Sequence, residues 1–308
     1  MWVQCGEQID ESTRQDVLNL ADTATGRDQV APLSEQTTLN LDEPGTGITH
    51  IVAREQNRPD LGAQIDPQSE SPTLLGYAQI DARPGGPPSA ELVVHPDHRG
   101  RGIGRTILRQ VLDHTPDARI WVHGSHPAAD ALARSEGLTV VRELLRMGRQ
   151  LLPEDELPAE LPEGYTARTF TPADGEAWLA VNAAAFVDHA EQGRLGPDDL
   201  QARLREEWFD PQGFFLVHDP HGRLAAFHWT KVHDGVAEVY VVGVSPEHQG
   251  KGLGRAATAI GLAHLRDRGH PQVELYVDGH NTAAVNTYRK QRFTVLGRDV
   301  QLIKTMPR

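Results

Sequence analysis

Two short segments carry residues whose spacing could hold an anion. Residues 249–255 read QGKGLGR and residues 99–105 read RGRGIGR. Each follows a β-branched stretch and opens an amphipathic one. Alternating glycines allow backbone conformations closed to residues with a Cβ. Their N–H groups can then converge on a phosphate, and a helix start adds free donors and a favourable dipole. Lys251 and Arg255 would add positive charge. Neither segment is a GxxxxGK[ST] phosphate loop, and the glycine spacing is not GxGxxG. A glycine turn alone also fits a plain strand-to-helix connection, so the rest of the chain decides.

A carboxylate stands close by. Glu238 lies in AEVYVVGV, residues 237–244, six residues before Val244. Strand alternation predicts that Glu238, Tyr240 and Val242 share one face. A glutamate in so apolar a strand points into a cleft or stands at a solvated edge.

These residues need a sheet and helices to hold them. In the second half of the chain, strands are predicted at 165–169, 213–219, 224–232, 237–244 and 272–277, and again from Phe293. Helices are predicted near 172–187, 197–208, 252–268 and 281–291, with Asn281 as an N-cap. The first half repeats the order with strands at 73–81, 91–95 and 118–123 and helices at 102–114 and 127–136. Residues 92–105, LVVHPDHRGRGIGR, match residues 242–255, VGVSPEHQGKGLGR, at an offset of 150 without a gap. Such a match signals duplication. Between the copies lies LLPEDELPAELPEG, residues 151–164, whose prolines and acidic residues read as an exposed linker. The expected domains are 1–150 and 165–308. Residues 55–72 read as a mobile loop. The fold class is α/β, with a mixed central sheet flanked by helices in each copy.

Composition bounds the partners. The 308 residues carry 30 Lys+Arg against 43 Asp+Glu, a formal charge of −13. That field repels phosphate backbones and argues against a nucleic-acid partner. One cysteine, Cys5, excludes an internal disulfide and fits a reducing compartment. No signal peptide is legible, and no run approaches the roughly 20 apolar residues of a membrane helix. A cytoplasmic monomer with no membrane partner is expected, since the duplication already supplies two equivalent domains.

The pattern Q/R-x-x-G-x-G/A after a strand resembles the acetyl-CoA signature of the GNAT superfamily of N-acetyltransferases. Both Gln249-Gly250-Lys251-Gly252-Leu253-Gly254 and Arg99-Gly100-Arg101-Gly102-Ile103-Gly104 match it in full. The resemblance implies two tandem GNAT-type domains, acetyl-CoA as co-substrate, and no metal. It implies that the strand before each loop parts from its neighbour and pairs with the pantetheine arm. That role falls to Leu92, Val93 and Val94, and to Val242, Gly243 and Val244. The oxyanion donor would be a backbone N–H near Val242 or Val244. The two loops, with Arg255, would hold the phosphates.

Acetyl transfer to an amine must move two protons. Glu238 is the candidate base. Tyr288 is the candidate acid, because the resemblance implies a tyrosine in this helix near the thioester sulfur. A phenol with a pKa of about 10 stays protonated. At the offset of 150, Glu238 maps to Pro88. Aligning Phe293-Thr294-Val295 with Leu138-Thr139-Val140 maps Tyr288 to Ala133. The first copy is therefore expected to bind acetyl-CoA without turnover.

A narrower resemblance spans nearly the whole chain. VAPLSEQ (30–36), HAEQG (189–193), FHWTKVH (227–233), EVYVVGVSPEHQGKGLGR (238–255) and LYV with NTAAVNTYRKQRF (275–293) carry it. They are similar to tandem GNAT enzymes that acetylate the cysteinyl amine of an aminothiol pseudodisaccharide, Cys-GlcN-Ins. This implies substrate contacts at Glu35, Glu191, Lys231, Glu238 and Tyr276. It implies coenzyme contacts at Asn281, Thr282, Ala283, Ala284, Val285 and Asn286. Acetylation of another small-molecule or peptide amine, and a non-catalytic acyl-CoA sensor, stay open as alternatives.

Overall fold

A computed structural model describes residues 1–42, 46–55, 72–124, 126–187 and 189–305, except the side chains of 190 and 191. All but the two ends of the loop expected at 55–72 lies outside the described residues. Two compact units form: unit 1 is Met1–Glu143 with Arg298–Arg308, and unit 2 is Leu144–Gly297.

In unit 1, β1 (Trp2–Gly6), β2 (Ile48–Arg54), β3 (Leu74–Asp81) and β4 (Ser89–Val94) pair in that order, each antiparallel to the next. β5 (Arg119–Val122) joins β4 in parallel, at Ser89↔Arg119 and Ala90↔Ile120. α1 (Glu11–Asp28) starts at Asp10, whose carboxylate accepts the Thr13 N–H, and α2 (Glu35–Asp42) follows. α1 packs Val17, Leu20 and Ala24 against Val52, Tyr77 and Val93 on one sheet face. α3 (Ile103–His114) covers the other. Its buried Ile103, Ile107, Leu108, Val111 and Leu112 recur at helical spacing. Ala133 of α4 (Pro127–Ser135) joins that second core.

Unit 2 follows the same plan. β7 (Thr166–Thr169), β8 (Phe214–His218), β9 (Leu224–His233) and β10 (Val236–Val244) form an antiparallel run. β11 (Gln272–Asp278) pairs with β10 in parallel from Ala237↔Val273 to Val239↔Leu275. α5 (Gly175–Ala185), α6 (Ala190–Gly193) and α7 (Pro197–Leu204) precede β8. α8 (Leu253–Asp267) follows β10, and α9 (Thr282–Lys290) follows β11. The core against α5 is aromatic, with Trp229 stacked on Phe214 at 4.3 Å and Trp178 edge-on to both. Such pairs contribute about 0.5–1.5 kcal/mol each beyond burial. The opposite face takes α8 closely: a Cβ on Gly261 would lie 2.1 Å from the His228 ring.

The repeats are interleaved at their last strands. β6 (Leu138–Gln150) pairs its residues 144–150 with β11 in unit 2. β12 (Thr294–Lys304) pairs Val300, Gln301 and Leu302 with β5 in unit 1. Each unit's sheet is thus completed by the final strand of the other repeat. The sequence division at 151–164 follows the repeat, and the compact units follow strand pairing. The offsets hold in three dimensions. α3 and α8 start at the offset of 150, and α4 and α9 match at both ends at 155.

Two expectations need correction. The segment 151–164 is not simply an exposed linker. Leu151 and Asp155 are buried. Asp155 takes an ion pair from Arg149 and another from Arg292 at 3.2 Å, while Arg266 donates to its carbonyl oxygen. Leu157 and Leu161 pack on unit 2 cores. Second, Glu238, Tyr240 and Val242 do not share a face. The β9–β10 register slips between Val239 and Val241. A bulge there inserts one residue and reverses the alternation beyond it. Val241 and Tyr240 accordingly join the α5 core, and Val242 turns to the core of Leu253 and Ala257 on α8.

Candidate active site

The glycine loop of unit 2 has the backbone an anion cradle needs. Gly250 and Gly252 take φ of +76° and +83°, the left-handed region that costs a residue with a Cβ about 1–2 kcal/mol. Gly252 caps α8 without a side-chain acceptor, so the first N–H groups of the helix stay available. Gly254 lies against Val244, where a Cβ would meet Val244 Cγ2 at 3.5 Å. Gln249 Nε2 donates to the Val244 carbonyl at 3.4 Å, bracing the loop on the strand end. Lys251 is exposed, with Nζ 3.4 Å from His248 Nδ1, and Arg255 is exposed without an ion pair among the described residues.

The strand before the loop parts from its neighbour. β10 leaves β11 after Val239, so among the described residues Val241 to Val244 have no partner strand on that side. Val242, Gly243 and Val244 line this opening and remain paired to β9 on the other side. Glu238 stands one residue before the bulge, opposite Lys231 on β9 and Glu274 on β11. Paired positions share a face, so Glu238, Lys231, Glu274 and Tyr276 come together on one side of the sheet. The Lys231 ammonium lies 4.6 Å from the Trp208 ring centre and 5.3 Å from that of Tyr240. Arg203 donates to the Tyr240 hydroxyl at 2.7 Å and fixes that ring. Tyr276 is 45% exposed and paired with Arg146.

Tyr288 comes from the opposite face. Asn281 caps α9 by accepting the Ala284 N–H at 3.0 Å. Two turns on, Tyr288 packs edge-on to Phe293 at 5.7 Å, in the core that Val285 also joins. Burial pushes the Tyr288 hydroxyl up to about 12, so it stays a donor at neutral pH. Thr282, Ala283 and Asn286 are exposed on the same helix, Ala284 is half-buried, and Val285 faces the core.

The remaining residues rest on local anchors. α6 is pinned by buried Asn182, which donates to the Gln192 carbonyl at 2.7 Å and accepts from Gln192 Nε2 at 2.9 Å. The Glu191 side chain on α6 lies outside the described residues. Glu35 is the first residue of α2 in unit 1. Nothing in the sequence pattern singled out Asn182, Arg203 or Tyr240 as supports, because each acts on a partner from a distant segment.

Comparison with known proteins agrees with this geometry. The model of the acetyltransferase (GNAT) family matches residues 34–137 and again 180–293. The chain belongs to the GNAT acetyltransferase family. Within it, the chain is 44% identical to a protein named mycothiol acetyltransferase from Nocardiopsis dassonvillei, covering 96% of this chain and 94% of the relative. It is 50% identical to one of that name from Thermobispora bispora, covering 90% and 91%. Among solved structures, a tandem GNAT protein from the clavulanic acid biosynthesis pathway shares the fold. Its TM-score is 0.69 at 18% identity, with both chains fully covered. A GCN5-related N-acetyltransferase from Sphaerobacter thermophilus gives 0.65 at 22%, covering 97% and 94%. The expected fold, two tandem GNAT domains, therefore stands.

The first GNAT copy keeps the cradle with different surroundings. Gly100 and Gly102 take φ of +75° and +82°, as in the second copy. Eight of the expected coenzyme residues (Leu92, Val93, Val94, Arg99, Gly100, Gly102, Ile103 and Gly104) line a cavity of about 490 Å³, and Arg101 does not. Arg99 is committed elsewhere, in a double hydrogen bond to Asp28 at 2.6 and 2.8 Å. Pro88 precedes β4, its carbonyl accepting the Arg119 N–H at 2.9 Å, and β4 has no bulge. The copy does hold a carboxylate that the repeat alignment did not reveal. Buried Glu91 accepts the Ser34 N–H at 2.7 Å and lies 3.3 Å from His123 Nε2, while Asp299 is 3.0 Å from His123 Nδ1. Burial pulls the His123 imidazolium down, but Glu91 and Asp299 outweigh it and push it up to about 10. The imidazolium in turn holds Glu91 below the usual carboxylate range despite its burial.

Proposed function

We propose that the chain moves acetyl from acetyl-CoA to the cysteinyl amine of Cys-GlcN-Ins, giving mycothiol and CoA, at the open strand pair of unit 2. The observation that carries this reading is the β10 bulge beside Glu238, where β10 parts from β11, with Tyr288 in the core that Val242 packs against. The nearly full-length likeness to proteins named mycothiol acetyltransferase supports the choice of substrate.

The residues divide the work. Glu238 takes the proton from the ammonium, directly or through a water, and frees its lone pair. The amine attacks the thioester carbonyl in a complex holding both substrates. A backbone N–H at Val242 or Val244 stabilises the oxyanion that develops. The C–S bond breaks as the carbonyl re-forms, the leaving thiolate takes the Tyr288 hydroxyl proton, and the second proton of the attacking nitrogen passes through water to restore the phenol. Gln249 to Gly254 and Arg255 hold the phosphates, and Asn281 to Asn286 border the coenzyme, with Val285 acting through the core. Glu35, Glu191, Lys231 and Tyr276 contact the sugar and inositol hydroxyls as donors and acceptors. Unit 1 binds coenzyme at its own loop and does not turn over, because Pro88 and Ala133 replace the proton-transfer pair.

Release of CoA thiol tests the reading. With acetyl-CoA and Cys-GlcN-Ins, release is expected at one thiol per amine consumed. Release with a peptide amine and none with Cys-GlcN-Ins would move the function elsewhere in the family.

A further inference from the structure

The space that Tyr288 and Phe293 fill in unit 2 is held in unit 1 by Ala133 and Leu138. α4 and α9 match residue for residue at the offset of 155, so Ala133 occupies the helical position of Tyr288. A methyl and an isobutyl group stand in for two aromatic rings. The cavity of unit 1 reaches this space. Its lining runs from exposed Gly100 and Gly102, past Ala133 and Leu138, to buried Ile120 and Leu302. Ala133, Leu138, Ile120 and Leu302 make this part of the lining apolar.

In the same cavity, Asp28 and His126 are both engaged with Arg99. His123 lines it, but its ring is already shared between Glu91 and Asp299. Glu91 is also occupied by the Ser34 N–H. A thioester seated there would be held intact.

We propose that unit 1 retains, without consuming it, an acyl-CoA whose acyl chain is longer than acetyl, with the chain lying against Ala133 and Leu138. This rests on the reading that unit 1 binds coenzyme at its glycine loop. Transfer of each methylene from water to such a site is worth about fourfold in affinity.

The test is calorimetric titration of the full chain with acetyl-, butyryl- and hexanoyl-CoA, alongside Ala133→Tyr and Leu138→Phe. Two sites are expected in the native chain, one of them about 15-fold tighter for butyryl- than for acetyl-CoA. Ala133→Tyr should erase that preference, and Leu138→Phe should weaken it. Thermal melting reports whether each variant folds, and Leu138→Phe decides if Ala133→Tyr does not. Butyryl-CoA binding no tighter than acetyl-CoA at both sites, or a preference untouched by the variants, overturns the inference while coenzyme binding in unit 1 stands. A single site, insensitive to both variants, removes the underlying reading and the inference with it.

Discussion

The two glycine loops have nearly the same backbone and very different company. Gly100 and Gly102 repeat the φ angles of Gly250 and Gly252 to within a degree or so. In unit 1, Arg99 is tied to Asp28, and Arg105 is tied to Glu136 at 3.1 Å. In unit 2 the corresponding Gln249 is neutral, and Arg255 has no carboxylate partner among the described residues. The strands leading in differ as well. β10 carries a bulge beside Glu238, and β4 runs without one from Ser89. Duplication therefore kept the shape of the cradle, while charge, register and the residues at the Glu238 and Tyr288 positions diverged around it.

The comparison can be broken at several points. The largest effect after loss of the base should come from Tyr288→Phe. Removing a positioned general acid costs about 10²–10⁴-fold in turnover, so kcat should fall about 100-fold while the KM for acetyl-CoA moves little. An unchanged kcat would make Tyr288 a packing residue like its neighbour Val285.

Paired glycine variants sharpen the contrast between loops. Gly252→Ala and Gly102→Ala impose the same backbone strain of about 1–2 kcal/mol. Gly252→Ala should raise the KM for acetyl-CoA in turnover about tenfold, and Gly102→Ala should leave it within about twofold. Equal effects would mean that both loops serve the reaction. Paired arginine variants should show a smaller version. Arg255→Ala should raise that KM several-fold at low salt and less at high salt, since exposed charges are screened. Arg105→Ala should do nearly nothing, because its charge is already spent on Glu136.

The smallest effect concerns pH and stability. The His123 pKa is raised from 6.5 to about 10 in the folded chain, so the folded state holds its proton more tightly. Its stabilising contribution is complete below about pH 6.5 and is lost as pH rises through about 10. The difference in melting temperature between the native chain and His123→Gln should shrink across that window. A difference that grows with pH would contradict the buried Glu91–His123–Asp299 network.

Local chemistry made part of this molecule legible in its sequence. The glycine loops, the strands before them and the Asn281 cap each announce themselves within a few residues, and the repeat follows from the loops. The face of Val242 was not legible, because the bulge at Tyr240 is set by how β10 pairs with β9. The exchange of β6 and β12 depends on pairings made far along the chain. Asp155 looked like one more acid in a polar linker, and its buried place depends on Arg149, Arg266 and Arg292. Glu91 was hidden for the same reason: Ser34 and His123 reach it from separate segments, and Asp299 reaches His123 from a third.

Turnover of Glu238→Gln tests the central claim most directly. The variant keeps both cradles, Tyr288 and all of unit 1, and removes one proton acceptor. CoA thiol release with acetyl-CoA and Cys-GlcN-Ins should fall at least about 100-fold, with acetyl-CoA binding unchanged by calorimetry. Release at the native rate would show that Glu238 is not the base, and that the single working site has been placed in the wrong part of the molecule.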